Sequence, residues 1–380
     1  MRARDERRSA TKDGPRLMVL CGGEDHRLLI GMQMADRWLL QPGADVLFAG
    51  PLSIGERELL SASALPYVSP RSASAARVLA RVAAYAPDVA LFLGEQGAWS
   101  WGVAALALRT PLLVFEPNVV PSRASRMLGN FASSVAVCFR ESRQFFPSGR
   151  AMVIGMPLSA DLWQSRRRQG HERGGRLRVL VHDGIIGSRL LDRVLPQAFA
   201  QQPQLAEQVE LWHLVGDGAL EATQDAYQRQ GLSARVERRA DDWCAALDWA
   251  ELVVSHAQAT SCAQLAVAGV PCLLLPRPSS AGRHETMNAQ MLAATGLASL
   301  LTPLSPKSLA ASLMELLGNV DELRARRGRR LGFASPESAQ RLFELIHFAE
   351  HLGAPRWWQS YRDLRALLSS SPKPQSKLDV

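Results

Sequence analysis

The five cysteines of this 380-residue chain, Cys21, Cys138, Cys244, Cys262 and Cys272, form no C-x-x-C pair and show no metal-ligand spacing. Each lies in or beside an apolar run, so they read as small buried thiols in a reducing compartment. No apolar run approaches the roughly 20 residues that span a bilayer. Met1 to Pro15 is charged and polar, without the apolar stretch that follows the arginines of a secretory signal. A cytoplasmic location is expected. The chain also lacks a zinc finger, an RNP-like strand and any basic stripe interleaved with aromatics, which sets nucleic acid aside as a partner.

What is present is ample material for packed interiors, 47% hydrophobic and 21% charged residues, in a length that favours two domains. The formal charge of +8 and the pI near 9.7 suit phosphate-bearing substrates or an anionic membrane surface. Part of that charge lies in Arg166 to Arg168 and Arg324 to Arg330, where a solvated face explains it equally well.

Short apolar runs alternate with helical stretches, the signature of βαβ units around a parallel sheet. Strands are expected at Leu17 to Cys21, Asp45 to Ala49, Asp88 to Leu93, Pro111 to Phe115, Ser134 to Phe139 and Ala151 to Ile154. Intervening helices are expected over Arg27 to Leu40, Ser74 to Ala84 and Ala98 to Leu108. The polar, basic, glycine-containing stretch from Trp163 to Gly175 reads as a linker. The plan then repeats, with strands at Leu177 to Val181, Val209 to Val215, around Arg235, at Leu252 to Ser255 and at Cys272 to Leu275. The expected organisation is a basic extension (1–16), an α/β domain (17–162), a linker (163–176) and a second α/β domain (177–335). Helices over 336–368 would pack back on the first domain, ahead of a disordered tail (369–380).

In such doubly wound sheets ligands bind beyond the carboxyl ends of the strands, near helix N-termini. Four loops qualify by position. Gly22-Gly23-Glu24-Asp25-His26-Arg27 pairs a tight turn with acidic groups and one arginine; it reads as a ligand loop or as a capped turn. Phe115-Glu116-Pro117-Asn118 puts two polar groups at the mouth of a buried strand. Ser255 to Gln264 carries Thr260 and Ser261 where they either cap a helix or bond a phosphate, with Gln264 one turn on. Arg283 to Ala289 opens another helix with polar residues, again a cap or a cleft-facing site.

The order and content of these loops resemble the MurG family, the lipid I N-acetylglucosaminyltransferases of peptidoglycan synthesis, over roughly Leu17 to Ala349. The family's H-E-Q-N-A-V-P appears as Phe115-Glu116-Pro117-Asn118-Val119-Val120-Pro121, and its H-Q-T-A-N-A as His284-Glu285-Thr286-Met287-Asn288-Ala289. The stretch Ser261 to Gly269 is similar to its T-x-x-E-L-A-A-A-G, and Gly155-Met156-Pro157 to a further turn.

The resemblance implies a GT-B fold: two Rossmann-like domains facing a cleft, the donor held mainly by the second. It further implies inverting transfer of N-acetylglucosamine from UDP-N-acetylglucosamine to a lipid-linked acceptor. That transfer would need neither metal nor cofactor, since no Asp-x-Asp follows a strand. A peripheral position on the cytoplasmic face of the membrane would follow, with Arg71, Arg77 and Arg81 around Val78 to Val82 as a basic patch. Carried residue by residue, the resemblance places ligand contacts at Glu24, Asp25, His26, Arg27, Asn118, Ser159, Ile185 and Ala240. It places others at Ala259, Thr260, Ser261, Cys262, Ala263, Gln264, Glu285 and Asn288, with His26 as the general base.

Several positions depart from the family. Gln264 stands where an acid binds the ribose, Glu285 where a glutamine meets the sugar, Ile185 where a hydroxyl meets phosphate, and Ser159 where an arginine follows the turn. The family's loop histidine falls on Arg27, with His26 one place early. Each uncompensated loss of a charge-assisted bond costs about 1.5–3 kcal/mol, and about 1.4 kcal/mol is tenfold in affinity. Another donor or acceptor, or a non-catalytic scaffold with a degenerate donor site, are the alternatives these departures raise.

Overall fold

The computed structural model describes residues 14–22, 25–69, 74–94, 96–165, 175–182, 190–216, 219–238, 240, 242–277, 283–328 and 334–352. Two parallel sheets organise them. The first holds β1 (Arg16–Leu20), β2 (Asp45–Ala49), β3 (Tyr67–Val68), β4 (Val89–Phe92), β5 (Leu112–Glu116), β6 (Ser134–Val137) and β7 (Ala151–Val153). The second holds β8 (Leu177–His182), β9 (Val209–Leu214), β10 (Ala234–Glu237), β11 (Leu252–His256), β12 (Cys272–Leu275) and β13 (Ala298–Leu300).

Their spatial orders, β3-β2-β1-β4-β5-β6-β7 and β10-β9-β8-β11-β12-β13, are doubly wound. Each sheet therefore reverses its winding once, between β1 and β4 and between β8 and β11, and leaves a crevice there. The central strands are buried along their whole length, as in Val89–Phe92 and Leu112–Glu116. Continuous apolar runs follow from helices covering both faces of a parallel sheet.

The expected fold, α/β with two Rossmann-like sheets, is the one observed. β3 and β13 had no counterpart in the sequence pattern. They are two and three residues long, too short for alternation to register. The helix Ala160–Ser165 occupies the start of the expected linker, whose residues 166–174 lie outside the described residues, as does the expected tail.

The patch read around Val78 to Val82 is corrected. The helix Ala75–Tyr85 buries both valines in the core with Met18, Leu20 and Phe92, so its apolar stripe faces its own sheet. Arg71 lies outside the described residues.

One core runs through both domains. It joins Leu17, Leu28, Trp38 and Phe115 to Ala259, Cys262 and Leu265 across the interface. The helix Ser338–Leu352 returns to the first domain, placing Leu342, Leu345 and Ile346 against the helix Asp25–Trp38 and the strands β4, β5 and β6. A single parallel bridge between Met156 and Ala334 sets the outgoing and returning chain side by side.

A buried polar triad braces the second domain. Tyr227 Oη lies 2.8 Å from His213 Nδ1, and His213 Nε2 lies 3.4 Å from Asp192 Oδ1. Burial, and then the Asp192 carboxylate, push the Tyr227 hydroxyl well above its ordinary range, so it stays protonated. Replacing Tyr227 with Phe leaves His213 Nδ1 without its partner in the interior, a penalty of about 1–3 kcal/mol. The Tyr227→Phe protein is expected to lose that much in urea unfolding with an unchanged m value; an unaltered midpoint would show that the triad contributes nothing.

Candidate active site in the interdomain cleft

A cavity of about 370 Å³ opens between the domains. The first domain contributes Leu29, Ile30 and Gln33, on the helix Asp25–Trp38, and Leu59. The turn after β7 contributes Pro157, Leu158 and Ser159. From the second domain come His182 and Leu214, at the ends of β8 and β9, with Arg238, Ala240, Trp243, Thr260 and Gln264. His182 and Thr260 flank the winding reversal between β8 and β11, the position at which open α/β sheets bind ligands.

Thr260 and Gln264 sit one turn apart on the helix Ala259–Ala268, and so share a face. No side chain caps this helix: its N-cap, Gln258, makes no side-chain bond. The first-turn N–H groups and the positive end of the dipole therefore remain available to an anion. Gln264 Oε1 is buried without a hydrogen-bond partner, and so is Trp243 Nε1. The wall thus holds an acceptor that needs a donor and a donor that needs an acceptor, each costly to leave unmade. Trp243 opens a helix that Asp242 caps through the Ala245 N–H, and tilts its ring over His182 at 4.5 Å between centroids. An aromatic wall, an uncapped helix end and orphaned polar atoms suit a ligand with a flat ring, hydroxyls and a phosphate.

Asn118 and Asn288 join the two domains. Both are buried, and they meet across the domain interface, Asn288 Nδ2 donating to Asn118 Oδ1 at 3.0 Å. Asn288 Oδ1 accepts from the Val119 N–H at 3.1 Å, and Nδ2 also donates to the Ala257 carbonyl at 3.2 Å. Glu116 orients the clasp: its Oε1 accepts from the backbone N–H and Nδ2 of Asn118, its Oε2 from the Ser122 N–H. Both asparagine side chains are engaged in joining the domains.

Arg27 also points inward. It is 6% exposed and donates through Nη1 to the Leu93 carbonyl at 3.2 Å. A Cβ on Gly94 would lie 3.1 Å from Arg27 Nη1 and 3.3 Å from Glu116 Oε2, so guanidinium and carboxylate are neighbours beneath the crevice of the first sheet. The cation offsets the buried charge of Glu116.

Glu285 is likewise occupied. Its Oε2 accepts from the Arg277 N–H at 2.8 Å and its Oε1 pairs with the Arg277 guanidinium at 2.6 Å. Ser261, Cys262, Ala259 and Ala263 are buried in the body of their helix. Burial, followed by the Glu285 carboxylate, pushes the Cys262 thiol up, which removes it as a nucleophile. Glu24 and Ile185 lie outside the described residues, as do the side chains of Asp25 and His26.

Of the residues expected at the ligand, the cavity brings together Ser159, Ala240, Thr260 and Gln264. Leu29, Ile30, His182, Arg238 and Trp243 escaped the sequence reading. His182 was findable from its place at the mouth of β8, whereas Leu29 and Ile30 read as ordinary core positions.

The chain matches the glycosyltransferase family 28 C-terminal domain over residues 179–342. A UDP-N-acetylglucosamine–N-acetylmuramyl-(pentapeptide) pyrophosphoryl-undecaprenol N-acetylglucosamine transferase of Shewanella baltica is 30% identical over 84% of this chain and 93% of its own. The chain belongs to that transferase family. A Shewanella amazonensis member is 30% identical over 87% of this chain and 97% of its own. Among solved structures, Acinetobacter baumannii MurG superposes with a TM-score of 0.67 at 23% identity, covering 88% of this chain and 99% of that one. The UDP co-structure of S. aureus MnaA reaches 0.66 at 10% identity, covering 89% and 98%, and shares the fold.

The clasp generates a prediction. Asn288→Ala would leave the Val119 N–H, the Ala257 carbonyl and Asn118 Oδ1 unpaired, each worth about 1–3 kcal/mol. Unfolding is expected at least about 2 kcal/mol lower, with a larger radius of gyration by small-angle scattering. A double-mutant cycle with Asn118→Ala should be strongly non-additive; simple additivity would mean that the two side chains act separately.

Proposed function

We propose that the protein transfers N-acetylglucosamine from UDP-N-acetylglucosamine to an N-acetylmuramyl-(pentapeptide) pyrophosphoryl-undecaprenol acceptor, the reaction for which its 30%-identical relatives are named. The observation that carries the reading is the orphaned Gln264 Oε1 one turn below Thr260 on an uncapped helix end. The helix N-terminus takes the diphosphate and stabilises its departing charge. Gln264 accepts from a ribose hydroxyl in place of the family's acid, and Trp243 with His182 forms the wall for the base. His26 serves as general base towards the acceptor hydroxyl. It lies one turn before Ile30 on the helix Asp25–Trp38, whose Leu29 and Ile30 line the cavity. One observation favours a second reading, a different sugar on the same donor nucleotide: Arg277 neutralises Glu285 where the family presents a glutamine.

Calorimetry with UDP, UDP-N-acetylglucosamine and UDP-glucose, paired with a transfer assay on lipid I, tests both readings. Heat with UDP-N-acetylglucosamine and turnover of lipid I are expected; heat with UDP-glucose alone selects the second reading, and silence throughout refutes both. Gln264→Ala removes one neutral bond, worth about 0.5–1.5 kcal/mol, and should weaken the donor about 2–10-fold. Gln264→Glu restores a charge-assisted bond and should tighten it.

The lipid-linked acceptor calls for peripheral attachment to the membrane. No helix among the described residues is long and apolar enough to cross one. The helices Trp99–Ala107 and Arg123–Gly129 instead expose a contiguous apolar groove, with Met127 at 55% and Phe131 at 61% exposure beside Trp99 and Val103. Arg109, Arg123 and Arg126 are exposed around it. Basic residues gain about 1 kcal/mol each near an anionic leaflet, and apolar side chains add burial in the interface. Co-sedimentation with phosphatidylglycerol vesicles should fall at least about tenfold in a Met127→Glu, Phe131→Glu double variant. Unchanged binding would place the attachment elsewhere.

A further inference from the structure

The last two turns of the helix Ser338–Leu352 carry the sequence His347-Phe348-Ala349-Glu350-His351, two imidazoles four residues apart with a carboxylate between them. Residues three and four apart share a helix face, so all three side chains converge. One donor atom from each lies within 4.8 Å of the others. Glu350 Oε2 sits between the two rings, 3.4 Å from His347 Nδ1 and 3.6 Å from His351 Nδ1.

We infer that this turn is a binding site for a divalent first-row transition metal, with zinc as the reference ion, held by His347, Glu350 and His351. Imidazole nitrogens with one carboxylate are a donor set that such ions accept and that the hard cations magnesium and calcium do not favour.

The surroundings prepare two of the ligands. The His347 ring is fixed between Trp38, at 5.2 Å between centroids, and Phe343, at 4.8 Å. The Glu350 side chain is 8% exposed, and so is held in place by packing. His351 Nδ1 donates to the His347 carbonyl at 2.8 Å, and its side chain is 73% exposed. Donor atoms on a tetrahedral zinc lie roughly 3.3 Å apart, so the main adjustment required is a rotation of His351 that gives up this backbone bond. A fourth position would be left for water.

The site is separate from the cleft. Trp38 lies eight residues beyond Ile30 on the same helix, about 12 Å along the axis. All three ligands come from one turn, so the ion would clamp the end of the returning helix and, through His347, its seam with the helix Asp25–Trp38. Its effect would be on stability, by binding the folded chain and not the unfolded one.

The test uses the full chain, stripped with a chelator and titrated calorimetrically with Zn²⁺ alone, Mg²⁺ serving as the control. One equivalent of Zn²⁺ and no Mg²⁺ binding are expected, with a thermal midpoint that rises with added Zn²⁺. His351→Ala alters an exposed side chain and leaves the fold intact, and Glu350→Gln keeps the shape of the packed group. Each should weaken Zn²⁺ at least about tenfold, the lower end of what loss of even an outer partner costs a metal site. No binding by the unaltered chain overturns the inference, and so does Zn²⁺ binding that both variants retain.

Discussion

The hydrogen bond between Asn118 and Asn288 is the constraint on which the cleft depends. Asn118 lies in the loop after β5 and Asn288 on the helix His284–Ala293, and the pair ties the two domains together. Glu116 fixes Asn118 from below, and Arg27 offsets the buried charge of Glu116. The four residues form a chain from the crevice of the first sheet to the helix His284–Ala293 of the second domain. A low local dielectric strengthens each link, and for the same reason a half-satisfied version would be worse than none. The cavity walls face each other because this network holds.

The cavity lies beside the network. The uncapped end of the helix Ala259–Ala268 presents N–H groups, Gln264 an unfilled acceptor, Trp243 an unfilled donor and a ring. Other polar groups near the cleft are satisfied within the protein, Glu285 by Arg277, and Asn118 and Asn288 by each other. Protein folding minimises stranded polar atoms, so those that remain in a cavity mark where a ligand completes the structure.

Much of the fold was legible from sequence because burial on both faces writes strands as unbroken apolar runs. Asp45 to Ala49 and Cys272 to Leu275 match their strands residue for residue. The edges were not legible, since Tyr67-Val68 and Ala298 to Leu300 are too short to show any period. In the site, Thr260 and Gln264 could be read because helix position and motif agree. Asn118, Asn288 and Glu285 could be recognised as special, but not assigned: a conspicuous polar residue at a strand mouth looks the same whether its partner is a ligand or another domain. Val78 and Val82 failed as a surface patch for a related reason, since a helical stripe gives its direction only relative to a sheet that the sequence does not display. Leu29 and Ile30 reached the cavity unannounced, for they are apolar on a helix that is otherwise core.

Among the described residues, the end of the first domain and the chain returning from the second run side by side where Met156 pairs with Ala334. The parallel bridge there and the asparagine clasp are two separate ties across the seam between the domains. Residues of both domains line the cavity, so a ligand that fills it adds a third tie across the seam that the bridge and the clasp already hold.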